Sequence, residues 1–423
     1  MSIPEQIQKA RIPIGPYGVP KGETVTFGRF GLPEQVAFCA RCVMSNQRPS
    51  SVKETANFKE SPKPTLQFDE EGVCDACRYA EMKEQTIDWE AREEELRDLL
   101  SQYRSKKGVY DCLVPGSGGK DSIYAAHILK TKYDMHPLTV TWAPHIYTEV
   151  GWRNLEHWIH SGFDNYLFTP NGRVHRTLTR LAVLNLLHPF QPFIIGQKNY
   201  APNMAVRFGI PLVIYGENEA EYGNPIADNV QARRNRAMYS RDEKEALYFG
   251  GLHIDDLAEY GVSERDIEPY LPAAQHELES VGVDVRYLGY YLKWIPQEAY
   301  YYAVEHAGFE ANPDGRTEGT YSKYNSLDDR IDGFHYYTTF IKFGIGRATY
   351  DASQEIRSGH LTREEGVALV HRYDGEFPTK YFKEILEYLE LTEDEWWSTV
   401  DSFRPEHLWE KAGGEWRLKH RVS

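Results

Sequence analysis

The sequence predicts an α/β fold: a parallel sheet flanked by helices, preceded by a four-cysteine module and followed by a mostly helical region. Three observations predict it. Short apolar runs recur about every 25–35 residues with helical stretches between them, the mark of βαβ units whose sheet is covered on both faces. One run, 109–115, passes through a glycine-rich turn into a helical stretch. Upstream of it, Cys39/Cys42 and Cys74/Cys77 form two C-x-x-C pairs.

Four regions follow in order. Residues 1–35 are rich in Gly and Pro with weak periodicity and read as an extended arm or a loosely packed lead-in. Residues 36–82 hold the cysteine pairs, separated by a polar loop; 65–77 reads as a short strand, a turn and the second knuckle. Residues 83–230 carry the α/β pattern. A helix is expected over 87–107, where Trp89, Leu96, Leu99, Leu100 and Tyr103 fall near helical spacing among charges. Strands are expected over 109–115, 136–144, 164–170 and 210–218, with helices over 122–133, 154–163 and 174–187. The apolar PFIIG run before Gly196-Gln197-Lys198-Asn199 reads like a strand end. Residues 231–423 are mostly helical in pattern: 231–271 is polar and helical in tendency, and 283–296 is a further apolar segment. Thr362/Glu365 and Thr392/Glu395 have capping-box spacing.

Composition narrows the function classes. With 41% hydrophobic and 26% charged residues, the 423-residue chain has a globular balance and length for two or three domains. A net charge of -15 repels phosphate backbones, so nucleic acid is not the expected partner. No apolar run is long enough to span a bilayer and no secretory h-region opens the sequence, so the expected location is cytoplasmic.

Paired C-x-x-C elements in a reducing compartment hold a metal more often than a disulfide. Four thiolates with no histidine complete a closed tetrahedral shell, which favours structural Zn²⁺ over an iron–sulfur cluster. Cys112 falls inside a strand and reads as a buried small apolar residue.

A strand–glycine turn–helix places backbone N–H groups and a positive helix end at one point, which suits phosphate. The turn Ser117-Gly118-Gly119-Lys120-Asp121-Ser122 is not a Walker A loop: Val114 stands at its first glycine position and Asp121 follows Lys120. Nor is it G-x-G-x-x-G, since Asp121 replaces the last glycine. SGGKDS resembles the PP-loop of the pyrophosphatase class of adenine nucleotide hydrolases. That resemblance implies ATP cleaved to AMP and pyrophosphate, with the loop gripping pyrophosphate and a substrate oxygen attacking the α-phosphate. Lys120 adds a mobile charge. Asp121 either helps place Mg²⁺ or caps the following helix; the two roles are compatible.

Further candidates sit where ligands of open α/β sheets bind. Glu217 and Asn218 follow an apolar strand and are candidates for Mg²⁺, sugar hydroxyls or ammonia, or else form a solvated turn. Lys198 is a candidate for a phosphate or a sugar carboxylate. Lys342 and Arg347 are candidates for a nucleotide-sugar diphosphate or for closing over ATP, or else are helix-surface cations. The histidines lack ligand spacing and none is assigned.

FCARCVMSNQRP, FDEEGVCDACR, PGSGGKDS, IYGENEAEYG and the block DGFHYYTTFIKFGIGRATYDASQEIRSGHLTREEGVALV together resemble the N-acetyl sugar amidotransferase family, from about residue 36 to the end. Its members act in the biosynthesis of bacterial surface polysaccharides, O-antigens (lipopolysaccharide) and nonulosonic acids of the pseudaminic and legionaminic type. The resemblance implies conversion of a sugar N-acetyl group to an acetamidino group through adenylation of the amide oxygen and attack by ammonia, with Lys120, Asp121 and Glu217 catalytic. No cysteine is left as a glutaminase nucleophile, and Ser follows Met1, so ammonia is expected from separate glutaminase and cyclase-like subunits resembling those of histidine biosynthesis. Two other readings stay open: a tRNA-modifying PP-loop enzyme, and a non-catalytic nucleotide-binding scaffold.

Overall fold

The computed structural model describes residues 14–105, 109–226, 230–242 and 245–423. Residues 1–13 of the expected arm, and 106–107 at the end of the expected 87–107 helix, lie outside them.

Five strands form one parallel sheet: β1 Cys112–Pro115, β2 Pro137–Trp142, β3 Asn165–Phe168, β4 Leu212–Tyr215 and β5 Asp284–Tyr287, in the order β3-β2-β1-β4-β5. Side chains of a strand alternate between faces, and two cores record that alternation. Cys112, Val114, Leu212 and Ile214 join one core, while Leu113, Val213, Leu138 and Val285 join the other. The central strands are apolar on both faces because helices cover both. At the edge, β3 exposes Tyr166 and Leu167, and Asn165 bonds the Thr139 and Thr141 hydroxyls of β2.

Six helices precede β4 among the described residues: α1 Asp75–Gln85, α2 Trp89–Tyr103, α3 Lys120–Thr131, α4 Glu149–His160, α5 Gly172–Leu186 and α6 Gln191–Phe208. Polar caps start three of them. The Asp88 carboxylate accepts from the Glu90 and Ala91 N–H groups, Thr148 from Gly151, and Asn171 from Arg173. The α2 stripe buries Leu96, Leu99 and Leu100, as its spacing requires.

Three expectations need correction. The PFIIGQKNY run is not a strand and turn; it lies inside α6. Gly196 is there because a Cβ at that position would stand 2.1 Å from the Trp142 ring, so this glycine marks a close helix–sheet approach. Apart from 243–244, which lie outside the described residues, 231–271 form short 3-10 turns, two-residue strands and a one-turn helix Glu264–Ile267 rather than long helices, broken by Gly250 and Gly251 at positive φ. The described part of the arm is firmly packed: Val19, Phe30 and Leu32 are buried, and Phe30 stacks on Phe403 at 6.1 Å.

The segment after β4 passes through α7 Gln275–Val281, supplies β5 to the sheet and then turns helical, with α8 Pro296–Ala307, α9 Asp332–Phe343, α10 Arg347–Arg357, α11 Arg363–Tyr373, α12 Phe382–Leu389 and α13 Glu393–Ser402. Both capping boxes form, at the starts of α11 and α13. A hairpin, β6 Trp409–Ala412 and β7 Glu415–Leu418, follows. The cysteine module shares one core with this region: Cys39, Cys42, Cys74 and Cys77 belong with Phe334, Trp396, Val400 and Trp409.

Gly196→Ala tests the helix–sheet approach. Overpacking there is expected to cost about 1–3 kcal/mol, read as a lower urea midpoint; an unchanged midpoint would contradict the placement of α6 on Trp142.

Candidate functional site

The connection from β1 runs to one side of the sheet and that from β4 to the other, so the crevice between their carboxyl ends is the switch point where α/β sheets bind ligands. A crevice of about 300 Å³ lies there, lined by the glycine loop, by residues 215–217, and by Lys198, Tyr222, Arg234 and Tyr287.

The loop is built for close backbone approach. Gly118 has φ +85°, and a Cβ on it would lie 2.6 Å from the backbone of Leu155 in α4. Helix α3 starts at Lys120 with Gly119 as its cap residue, and no side chain caps it. Its first N–H groups are therefore left for an anion. The capping role considered for Asp121 is not the one it plays. Its carboxylate accepts from the Trp294 indole at 2.8 Å and pairs with the Lys120 ammonium. Lys120 is buried, within 5.6 Å of the Trp294 ring centre and 5.7 Å of Tyr324. Ser122 Oγ donates to the Gly119 carbonyl at 2.9 Å.

Ser117 Oγ donates to Asp328, whose carboxyl burial pushes up to about 6. Nothing in the sequence pointed to Asp328, which stands 211 positions away. The same holds for Trp294, while Tyr222 lay in the IYGENEAEYG block with no role given to it.

On the opposite wall, a Cβ at Gly216 would lie 3.1 Å from the Asp121 carbonyl, so the two loops touch. Glu217 accepts from Tyr222 Oη at 2.6 Å. Burial, then the Asp121 charge, pushes its carboxyl up to about 7 against the pull of Lys120. Asn218 is buried, and its Oδ1 caps the turn Glu219–Tyr222 through the Ala220 N–H at 2.9 Å; its role there is structural. Lys198, on α6, lines the crevice. Beside it the Arg234 guanidinium, only 4% exposed, sits 5.3 Å from the Tyr215 ring centre and 3.7 Å from Glu219, with Nε and Nη1 lacking a hydrogen-bond partner. The run QARRNR in an acidic chain was the one signal for Arg234.

Lys342 and Arg347 do not line this crevice. Lys342 donates to the Leu186 carbonyl at 2.7 Å, and burial pushes its ammonium down to about 7. Arg347 is held by Asp351 at 3.0 Å and by Tyr336. Neither is a helix-surface cation.

The four knuckle cysteines are buried, with their sulfurs within 4.8 Å of one another. Cys39–Cys77 and Cys42–Cys74 sulfurs are 3.9 and 3.7 Å apart. A tetrahedral zinc–thiolate shell sets neighbouring sulfurs about 3.8 Å apart, so the donor set fits one metal ion. The N–H groups of Arg41, Cys42 and Cys74 point at Cys39 Sγ within 3.5 Å, and Arg363 bonds the Cys42 and Cys39 carbonyls. Cys112 is fully buried in β1, and burial pushes its thiol far up, as fits an inert strand cysteine.

Residues 318–423 match a family described as LPS biosynthesis protein WbpG-like, C-terminal domain. An uncharacterized protein of Methanocaldococcus jannaschii is 30% identical over 102 residues, which cover 24% of this chain and 31% of that protein. The match thus spans about a third of that relative's length. Among solved structures, the U34-tRNA thiolase NcsA from Methanococcus maripaludis with its 4Fe-4S cluster aligns over 84% of this chain and 89% of its own, at 12% identity and TM-score 0.28.

Two outcomes are expected. Freshly purified protein carries a metal ion at the four cysteines, and Cys74→Ser loses it and melts at lower temperature; a metal-free, equally stable wild type would contradict the site. Glu217 has a folded value above its unfolded one, so its contribution to stability is present below about 4.5 and lost as pH rises through about 7. Glu217→Gln should therefore raise the Tm of nucleotide- and Mg²⁺-free protein at about pH 8 more than at about pH 5. A gain equal at both pH values would contradict that environment for Glu217.

Proposed function

We propose that this protein is an ATP-dependent amidotransferase that converts an N-acetyl group on a sugar to an acetamidino group in bacterial surface-glycan biosynthesis. The observation that carries the reading is the SGGKDS loop at the switch point, with Lys120 and Asp121 paired beneath it and Glu217 facing it. The WbpG-like match at 318–423 supports lipopolysaccharide or a related glycan as the setting.

The chemistry explains why such a loop is needed. An amide carbon is a poor electrophile and its oxygen a poor leaving group. Attack of that oxygen on the α-phosphorus breaks the bond to the bridging oxygen, and pyrophosphate leaves. The first N–H groups of α3 and the Lys120 ammonium hold the departing charge. Asp121 is the residue that would hold Mg²⁺, and its charge already disfavours the ionised form of Glu217, a repulsion a cation would relieve. Bound there, Mg²⁺ would neutralise phosphate charge. Ammonia then adds to the activated carbon, with Glu217 across the crevice to accept a proton. The carbon–oxygen bond to AMP breaks and the amidine remains. Amide, ATP and ammonia enter; amidine, AMP and pyrophosphate leave. The crevice must exclude water, which would return the adenylate to amide.

Ammonia is supplied by a separate glutaminase with a cyclase-like subunit. The chain has five cysteines, four of them in the knuckles and Cys112 locked inside β1, so none is a glutaminase nucleophile. The closed four-thiolate set, with no open position, favours structural Zn²⁺. It also argues against a tRNA-modifying reaction, which would use an available cysteine or cluster position, as does the charge of -15.

Incubation with ATP, Mg²⁺, an ammonium salt and N-acetyl sugars is expected to give AMP, pyrophosphate and a product with NH in place of the amide oxygen. Lys120→Ala should lower AMP formation by about 100-fold or more with the fold intact. ADP and phosphate as products would sink the mechanism, and full sugar modification by Lys120→Ala would favour the scaffold reading.

A further inference from the structure

A second cavity, of about 380 Å³, lies beside the nucleotide crevice, between the loop at 49–63, the end of α5, and α9. One turn of α6 is a shared wall: Gln197 and Lys198 line both spaces. The volume is in the range of small-molecule sites. Its polar lining is unusual for a packing void, with Lys63, Lys198, Lys342, His188 and His335 set against Glu54 and Glu60.

The acids have partners of their own. Glu54 accepts from Asn57 at 2.7 Å and lies 3.6 Å from His188, and Glu60 pairs with Arg29 at 3.2 Å. The cations are less well served. Lys342 makes its one hydrogen bond to the Leu186 carbonyl, and Lys63 makes its own to Asn57. Lys198 makes no hydrogen bond or ion pair with the described residues, although Arg234 stands close enough to disfavour its charge. His335 Nδ1 is buried with no hydrogen-bond partner, and its ring stacks on His188 at 5.2 Å. Lys342 is buried with a carbonyl as its one acceptor, and half-buried Lys198 has Glu219 and Glu54 near but bonds neither, so an anion reaching both ammonium groups would gain charge-assisted hydrogen bonds.

Resting on the adenylating reading above, we propose that this cavity binds the acceptor sugar and that the sugar carries an anionic group, a carboxylate or a phosphate, held by Lys198 and Lys342. The acetamido group then enters the nucleotide crevice past Gln197. His188 and His335 face the sugar hydroxyls.

The test measures direct binding without ATP, and pyrophosphate release with ATP, Mg²⁺ and ammonium. The probes are N-acetylglucosamine, N-acetylneuraminate and N-acetylglucosamine 1-phosphate, so a carboxylate and a phosphate are compared with a neutral sugar. At least one anionic probe is expected to bind about tenfold or more tightly than the neutral one. Lys198→Met and Lys342→Met should each abolish that preference, Lys342→Met while leaving the affinity for a non-hydrolysable ATP analogue unchanged, and Lys198→Arg should restore it. Lys198 also guards the test against a folding defect in the more buried Lys342 variant. Equal binding of neutral and anionic sugars, or a preference surviving in both Met variants, overturns the proposal. Lysine-dependent binding without pyrophosphate release supports the cavity and sinks the adenylating reading. Pyrophosphate release equally fast with the neutral sugar leaves adenylation standing and overturns the anionic acceptor.

Discussion

The contact on which the site depends is the packing of the Gly118 backbone against α4. No side chain fits between Gly118 and Leu155, and φ of +85° suits glycine. That pinned turn aims the start of α3 at the switch point, where no side chain blocks its N–H groups. Gly116 is pinned likewise, since a Cβ there would stand 2.1 Å from Ser122. Anion affinity here is a property of backbone direction, and the side chains add charge to it. Lys120 is held ready between Asp121 and two aromatic faces, so little ordering is left for the moment of binding.

A second constraint ties the ends of the chain together. The cysteine knuckles lie in the same core as α9, α12 and α13, well removed in sequence from either pair. Arg363, at the start of α11, bonds the carbonyls of Cys42 and Cys39. The metal module is thereby a keystone for the helical region that supplies Asp328 to the loop and Lys342 to the second cavity. The four-cysteine cluster and the glycine loop are thus coupled through packing.

Local features were legible in the sequence, and long-range ones were not. The strand–loop–helix of 112–131, the α2 stripe and both capping boxes follow from spacing within a few residues, and they are found where expected. The C-x-x-C pairs announced a shared site because four thiolates are rarely adjacent for any other reason. The strand reading of PFIIG failed because a short apolar run with a glycine fits either a strand end or a helix pressed on a ring, and only Trp142 decides between them. Asp328 and Trp294 were invisible because each reaches the crevice through tertiary contact, with no local pattern to mark it, and Arg234 had only its basic run. Lys342 was noticed for its glycine- and aromatic-rich setting as a candidate for a nucleotide-sugar diphosphate or for closing over ATP; it lines the neighbouring cavity and not the glycine-loop crevice.

Crevice and cavity share the turn at Gln197 and Lys198, which makes α6 their common wall. Adenylation of the amide would make the amide oxygen itself an oxygen of the leaving AMP. Its most direct test follows an acetamido sugar labelled with a heavy oxygen isotope at the carbonyl through one turnover with ATP and ammonia. The label is expected in the phosphate of AMP and not in the amidine product. Label retained in the sugar, or AMP formed without it, would contradict adenylation of the amide.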